Sequence, residues 1–133
     1  MLTVRKQQLD ALGAYMRQSF EDRVAQHLVR EWPLQVRKLL SAGGSEKPVR
    51  DLIQLGIQKA ARYGIESEAD VMRFIELMVR ILPEFDEQKE LGWARAILDD
   101  RSLPGAAKIG LIQEQLPLRM PEMAAAGGTS APN

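Results

Sequence analysis

The chain has 133 residues, 45% of them apolar and 27% charged, with 18 Lys and Arg balanced against 18 Asp and Glu. That length fits a single domain able to bury roughly two-thirds of its unfolded surface, and the charge balance argues against nucleic acid as the main partner, because phosphate binding needs a clustered basic excess. Cysteine is absent, which excludes disulfides, thiolate nucleophiles and Cys-ligated zinc or iron–sulfur centres.

In chain order, the first predicted element is a long helix from about Thr3, a candidate cap, to Trp32. Leu9, Leu12, Met16, Phe20, Val24 and Leu28 recur at the spacing of one helix face. Ser19 and Asp22 resemble a capping box, but the apolar stripe passes through them unbroken, so one continuous helix is expected. Pro33 ends it and opens a short helix to about Leu40, stopped by Gly43 and Gly44. Pro48 starts the next helix, whose stripe of Val49, Leu52, Ile53, Ile57 and Ala60 runs up to Tyr63. Gly64 then sits where a left-handed cap residue belongs, with Ile65 closing the cap's apolar contact. Ser67 and Asp70 form a capping box for a helix carrying Val71, Phe74, Ile75, Met78 and Leu82, ended by Pro83. Helix, short turn and helix make an αα-hairpin.

After Pro83 an acidic stretch from Glu84 to Glu90 reads as a solvated loop, with Asp86 able to cap a short helix bearing Trp93, Ala94, Ile97 and Leu98. Ser102 is the expected cap of a last helix with Pro104 in its first turn and Ile109, Ile112 and Leu116 on one side. From Pro117 onward two prolines and "AAAGGTSAPN" describe a tail that cannot bury a face. The expected architecture is all-α: a compact bundle of five to six helices over residues 1–116 around a central αα-hairpin, with a disordered tail over 117–133. No apolar run approaches the ~18–20 residues of a membrane span, and the chain opens on a polar helical segment rather than a signal peptide, so the expected location is the cytoplasm.

Residue chemistry points away from catalysis. The single histidine, His27, has no nucleophile or carboxylate beside it in the sequence and reads as structural. A calcium loop counted from Asp86 would place Gln88, Glu90 and Leu91 at its third, fifth and sixth positions, where the sixth must be glycine. "SAGGSEKP" lacks the spaced glycines and terminal Lys-Ser/Thr of a phosphate loop. "YGIES" is the one candidate helix-turn-helix turn, and the helix after it presents Glu68, Asp70 and Glu76, which repel phosphate. Neither a cofactor nor a metal is implied, and the chain reads as a non-enzyme.

Charge is uneven along the chain. Residues 1–44 hold seven Lys and Arg against four acids, and residues 84–104 hold three against six. Apolar Leu55, Met72 and Leu77 flank the core stripes of the hairpin, which either buries them at the centre of the bundle or presents them as a patch. Leu118, Met120 and Met123 form an apolar strip beyond the bundle. For a protein partner, the residue types enriched at binding hot spots select Arg62, Tyr63, Glu66, Arg73 and Trp93 around the hairpin.

The block Leu52-Ile53, Gly56-Ile57, Lys59-Ala60, Tyr63-Gly64-Ile65, Ser67-Glu68, Asp70-Val71, Phe74-Ile75 and Leu77-Met78 resembles a family of small helical bacterial proteins. The opening "LTVRKQQLDAL", Phe85-Asp86 and "WARAIL" over residues 93–98 extend the likeness across residues 2–116. Members of that family are encoded in type VI secretion and polymorphic-toxin loci, near spike proteins, effectors and effector adaptor chaperones. The resemblance implies an accessory protein of toxin delivery and carries over no catalytic or ligand residue. The function it implies is a co-chaperone or adaptor binding an effector toxin, its adaptor chaperone or the spike protein. The alternative is an immunity protein that neutralises a cognate toxin by direct binding. Self-association stays open.

Overall fold

A computed structural model describes residues 6–40 and 47–120, and the side chains of 16–38 and 48–120. Six α-helices occupy these segments: α1 (Lys6–Glu31), α2 (Pro33–Leu40), α3 (Lys47–Arg62), α4 (Glu68–Arg80), α5 (Gly92–Asp99) and α6 (Gly105–Arg119). Two 3-10 turns, Phe85–Glu87 and Lys89–Leu91, join α4 to α5, and no strand occurs among the described residues.

The α3–α4 hairpin lies at the centre. Helices α1 and α2 pack against both of its helices, α6 packs on α4, and α5 packs on α6 and the first 3-10 turn. The turn between α3 and α4 is fixed by backbone chemistry. Gly64 takes a left-handed φ of 75°, its N–H reaches Ala61 O at 3.1 Å, and the Ile65 N–H reaches Ala60 O at 2.8 Å. These are the paired bonds of a Schellman cap, and Ile65 and Ala60 supply its buried apolar contact. Three residues on, the Ser67 hydroxyl accepts the Asp70 N–H at 3.1 Å and donates to Asp70 Oδ2 at 2.8 Å. Both ends of the turn therefore carry the caps expected of them.

The hairpin closes tightly because residue 56 has no side chain. A Cβ built on Gly56 would stand 2.5 Å from Ile75 Cγ1 and 3.0 Å from Met78 Sδ. Around that contact, Leu52, Ile53, Phe74, Ile75, Leu77 and Met78 are buried, with Leu55 and Met72 half-buried against them. Central burial, rather than a surface patch, accounts for the extra apolar residues of the hairpin.

Three local expectations fail. Met16 is exposed, so among the described side chains of α1 the buried stripe begins at Phe20, those of Leu9 and Leu12 lying outside the described residues. A 26-residue helix spans about 39 Å whereas α3, with 16 residues, spans about 24 Å, and α1 outruns the hairpin it packs on. Ser102 does not cap α6: Pro104 holds the N-cap with ψ 162°, and Ser102 bonds Asp100 Oδ1 through its N–H and hydroxyl. Helix α6 runs through Pro117 to Arg119, past the expected end of the bundle at 116. Proline's φ suits a helix, and Met120 N–H still reaches Leu116 O at 2.7 Å. Thr3, Gly43, Gly44 and tail residues 121–133 lie outside the described residues.

Urea unfolding of two glycine variants tests this packing. Gly56→Ala should lose about 1–3 kcal/mol through overpacking against Ile75. Gly110→Ala, on α6 where an added Cβ meets open space, should gain up to about 1 kcal/mol through helix propensity.

Candidate functional site

The last turn of α3 carries Lys59, Arg62 and, just beyond it, Tyr63, facing the segment that returns from α4. Lys59 is only 3% exposed and Asp86 2%. A buried ammonium needs its charge and its three donors answered, and here all three are: Nζ donates to Asp86 Oδ1 at 2.7 Å, Glu87 Oε2 at 2.9 Å and the Pro83 carbonyl at 3.3 Å. The Tyr63 hydroxyl donates to the other Asp86 oxygen at 2.7 Å. Below them Phe74 packs between Tyr63 and Phe85, with ring centroids 6.1 and 5.5 Å apart.

Asp86 thus neither caps α5 nor belongs to a solvated loop. Phe85 enters the core and turns the following carboxylate inward onto Lys59.

The charges settle into their ordinary ionised forms. Burial by itself would raise the Asp86 carboxyl, but the hydrogen bonds from Lys59 and Tyr63 outweigh it and hold it below the usual carboxylate range. Burial would lower Lys59, and the bonds to Asp86 and Glu87 carry it above its usual value. Burial, then the bond to Asp86, pushes the Tyr63 phenol well above its ordinary range. The bonds of this trio lock the 83–87 segment onto α3.

Above the trio opens a polar pocket of about 550 Å³ lined by Arg62, Tyr63, Asp86, Glu87, Arg95, Leu98, Asp99, Arg101 and Lys108. Its walls come together because Gly105, at the start of α6, sits against the α3–α4 turn. A Cβ there would lie 2.9 Å from both Gly64 O and Ile65 Cα. Lys108, 5% exposed, donates to the Tyr63 carbonyl at 2.7 Å and ties α6 to the same turn. Arg95 donates to Asp99 at 2.9 Å and to the Asp86 carbonyl at 3.3 Å.

The chain matches no protein-family model, no curated protein and no solved structure.

Of the five residues chosen for partner contact, two meet in this pocket: Arg62 and Tyr63. Glu66 is exposed on the turn, and Arg73 is exposed and paired with Asp70 at 3.4 Å. Trp93 is half-buried elsewhere, under the Arg119 guanidinium at 5.1 Å, beside Leu82 and Met120. Sequence reasoning missed Lys59, Asp86, Arg95, Arg101 and Lys108. Lys59 gave a usable signal, since it stands two residues after Ile57 and just before Ala60 on the core side of α3.

A second polar cluster joins α1 to α4. His27 Nε2 lies 2.5 Å from Glu76 Oε2, and Trp32 Nε1 donates to the same oxygen at 3.0 Å. Arg80 stacks on Trp32 at 4.9 Å, with its Nε buried and unpartnered. His27 therefore does face a carboxylate, brought from 49 residues away. Among the described residues no group of three or more His, Asp or Glu converges as a metal site.

The Lys59–Asp86 pair fixes the pH dependence of stability. Asp86 lies below its ordinary 3.8, so its contribution is complete above that value and lost as pH falls through the lower folded one. Lys59 lies above its ordinary 10.5, so its contribution is complete below that value and lost as pH rises through the higher folded one. Urea midpoints should form a plateau between these limits, with an acid arm that is shallower in Asp86→Asn. Tyr63→Phe should lose about 1–2 kcal/mol at neutral pH.

Proposed function

We propose that this chain is a non-enzymatic, protein-binding accessory factor: a co-chaperone or adaptor that holds a type VI secretion effector or that effector's own chaperone. The observation that carries this reading is a groove of about 600 Å³ between α1, α2 and α3. Ala25, Val29, Val36 and Val49 give it an apolar lining, and Asp22, Gln26, Arg30 and Arg50 give it a polar rim. Val29 is 54% exposed. An apolar centre with a polar rim is the anatomy of a protein interface, and a trough between helices suits an amphipathic helix laid along it. Covering a side chain such as Val29 supplies about 1.5–3 kcal/mol when burial is complete.

The rim is partly self-paired, with Arg50 donating to Asp22 at 2.7 Å. Such rim pairs orient a partner more than they hold it. The secretion context rests on the hairpin and "WARAIL" sequences, which resemble proteins of those loci. The mutual pairing of a charged Lys59, a charged Asp86 and a neutral Tyr63 phenol supports the non-enzymatic part.

Affinity capture of the tagged chain from its native host, with mass spectrometry of what co-purifies, tests the reading. An effector recovered with its adaptor or spike protein is the expected result. Val29→Asp should weaken that capture at least tenfold, whereas Leu118→Asp, exposed on α6 outside the groove, should leave it unchanged. A lone toxin silenced in the complex would replace this reading with immunity, and equal capture by the Val29→Asp and Leu118→Asp variants would remove the groove from it.

A further inference from the structure

The polar pocket at the other end of α3 has a charge pattern that the fold itself does not use up. Its carboxylates are engaged: Asp86 by Lys59 and Tyr63, Glu87 by Lys59, and Asp99 by Arg95. Of its four cations, Arg95 is engaged by Asp99 and the other three pair with no carboxylate. Arg62 and Arg101 line the pocket and make no ion pair with any described residue. The buried Lys108 ammonium spends one donor on the Tyr63 carbonyl and pairs with no carboxylate within bonding distance. Asp100 is near enough to feel Lys108, but it is fully exposed and its Oδ1 already accepts two bonds from Ser102. Lys108 also lies in the first turn of α6, where the helix dipole disfavours a cation. A carboxylate in the pocket would relieve all three groups together.

We propose that this pocket binds the carboxylate of an Asp or Glu side chain on an acidic segment of a partner protein. With the Lys59 that pairs two of its carboxylates and the nearby Asp100 both counted, five cationic side chains stand against four carboxylates, an excess of one that matches a carboxylate monoanion and falls short of a phosphate dianion. Guanidinium forks donate two parallel hydrogen bonds to a carboxylate, and Arg62 and Arg101 both carry that fork. The cavity, about 550 Å³ and predominantly polar in its lining, has room for an acidic side chain together with its neighbours. It is a separate site from the apolar groove. Arg50 on the groove rim and Arg62 in the pocket stand twelve residues apart on α3, about 18 Å along the helix. The inference rests on the protein-binding reading for the source of the carboxylate, and on the pocket alone for its chemistry.

An NMR titration of the full chain with acetylated, amidated hexaglutamate tests it, with hexaglutamine and sodium phosphate as comparison probes. Hexaglutamate should shift the amides of Arg62, Tyr63, Arg101 and Lys108 saturably, and more weakly at 300 mM than at 50 mM salt, about the drop that screening imposes on exposed charges. Hexaglutamine should leave them in place. The double variant Arg62→Gln, Arg101→Gln should weaken binding at least tenfold while keeping the dispersed spectrum of the folded chain. Arg62→Lys with Arg101→Lys, which keeps the charge and loses the forks, should fall between. Shifts that are absent, that spread evenly over the surface, or that persist unchanged in the Gln variant would overturn the site. Phosphate saturating the pocket where hexaglutamate does not would overturn the acidic-segment source. The groove variants give the independent arm: hexaglutamate binding with capture unaffected by Val29→Asp sinks the groove and keeps the pocket, and the converse sinks the pocket alone.

Discussion

A lysine that the helical pattern of α3 turns inward cannot stay there alone, and much of this structure follows from answering its charge. Lys59 is almost wholly buried, and an unpaired ammonium in that place costs several kcal/mol. The chain after α4 supplies the answer within four residues of Pro83. Phe85 fills the core beside Phe74, and its neighbour Asp86 meets Lys59 at 2.7 Å. That contact fixes where the 3-10 turns run, and through Arg95 it fixes the start of α5 as well. It also holds the Tyr63 ring upright at the edge of the pocket.

The hairpin beneath it is an example of a turn specified at several levels at once. Gly64 permits the left-handed backbone, Ile65 and Ala60 bury the cap's apolar contact, and Ser67 starts the next helix with its hydroxyl. Two glycines then decide how closely elements approach. Gly56 admits Ile75 and Met78 of α4, and Gly105 admits the backbone of the turn itself. Because Gly105 brings α6 against residues 64 and 65, Lys108 reaches the Tyr63 carbonyl, and the four cations of the pocket share one space. The two ends of α3 consequently differ in kind: an apolar trough against α1 and α2 at its start, and a polar, donor-rich pocket at its end.

The helices were legible in the sequence wherever periodicity and caps agreed. The α3–α4 hairpin, the short α2 after Pro33 and the unbroken passage of α1 through Ser19 all read correctly from spacing and turn chemistry. What sequence could not carry was long-range charge pairing. Asp86 lies among Glu84, Glu87 and Glu90, and nothing local distinguishes the one buried carboxylate from its exposed neighbours. Its partner is 27 residues away. His27 and Glu76 pose the same problem across 49 residues. Ser102 misled for a local reason, since Asp100 two residues earlier captured its N–H and hydroxyl and left Pro104 as the N-cap. In the candidate sites, residue type alone selected Arg62 and Tyr63 for the pocket, while of the groove's apolar residues only Val49 was singled out, as a core position of α3.

The claim on which this account turns is that Lys59 and Asp86 act as one unit that organises the loop and the pocket. A double-mutant cycle measures it directly, using urea unfolding of Lys59→Met, Asp86→Leu and the pair together. Each single variant should lose about 3–5 kcal/mol by stranding the other charge, and the double variant should recover most of that loss, giving a coupling of at least about 2 kcal/mol. Losses that simply add, to within about 0.5 kcal/mol, would show two independent side chains and contradict the account.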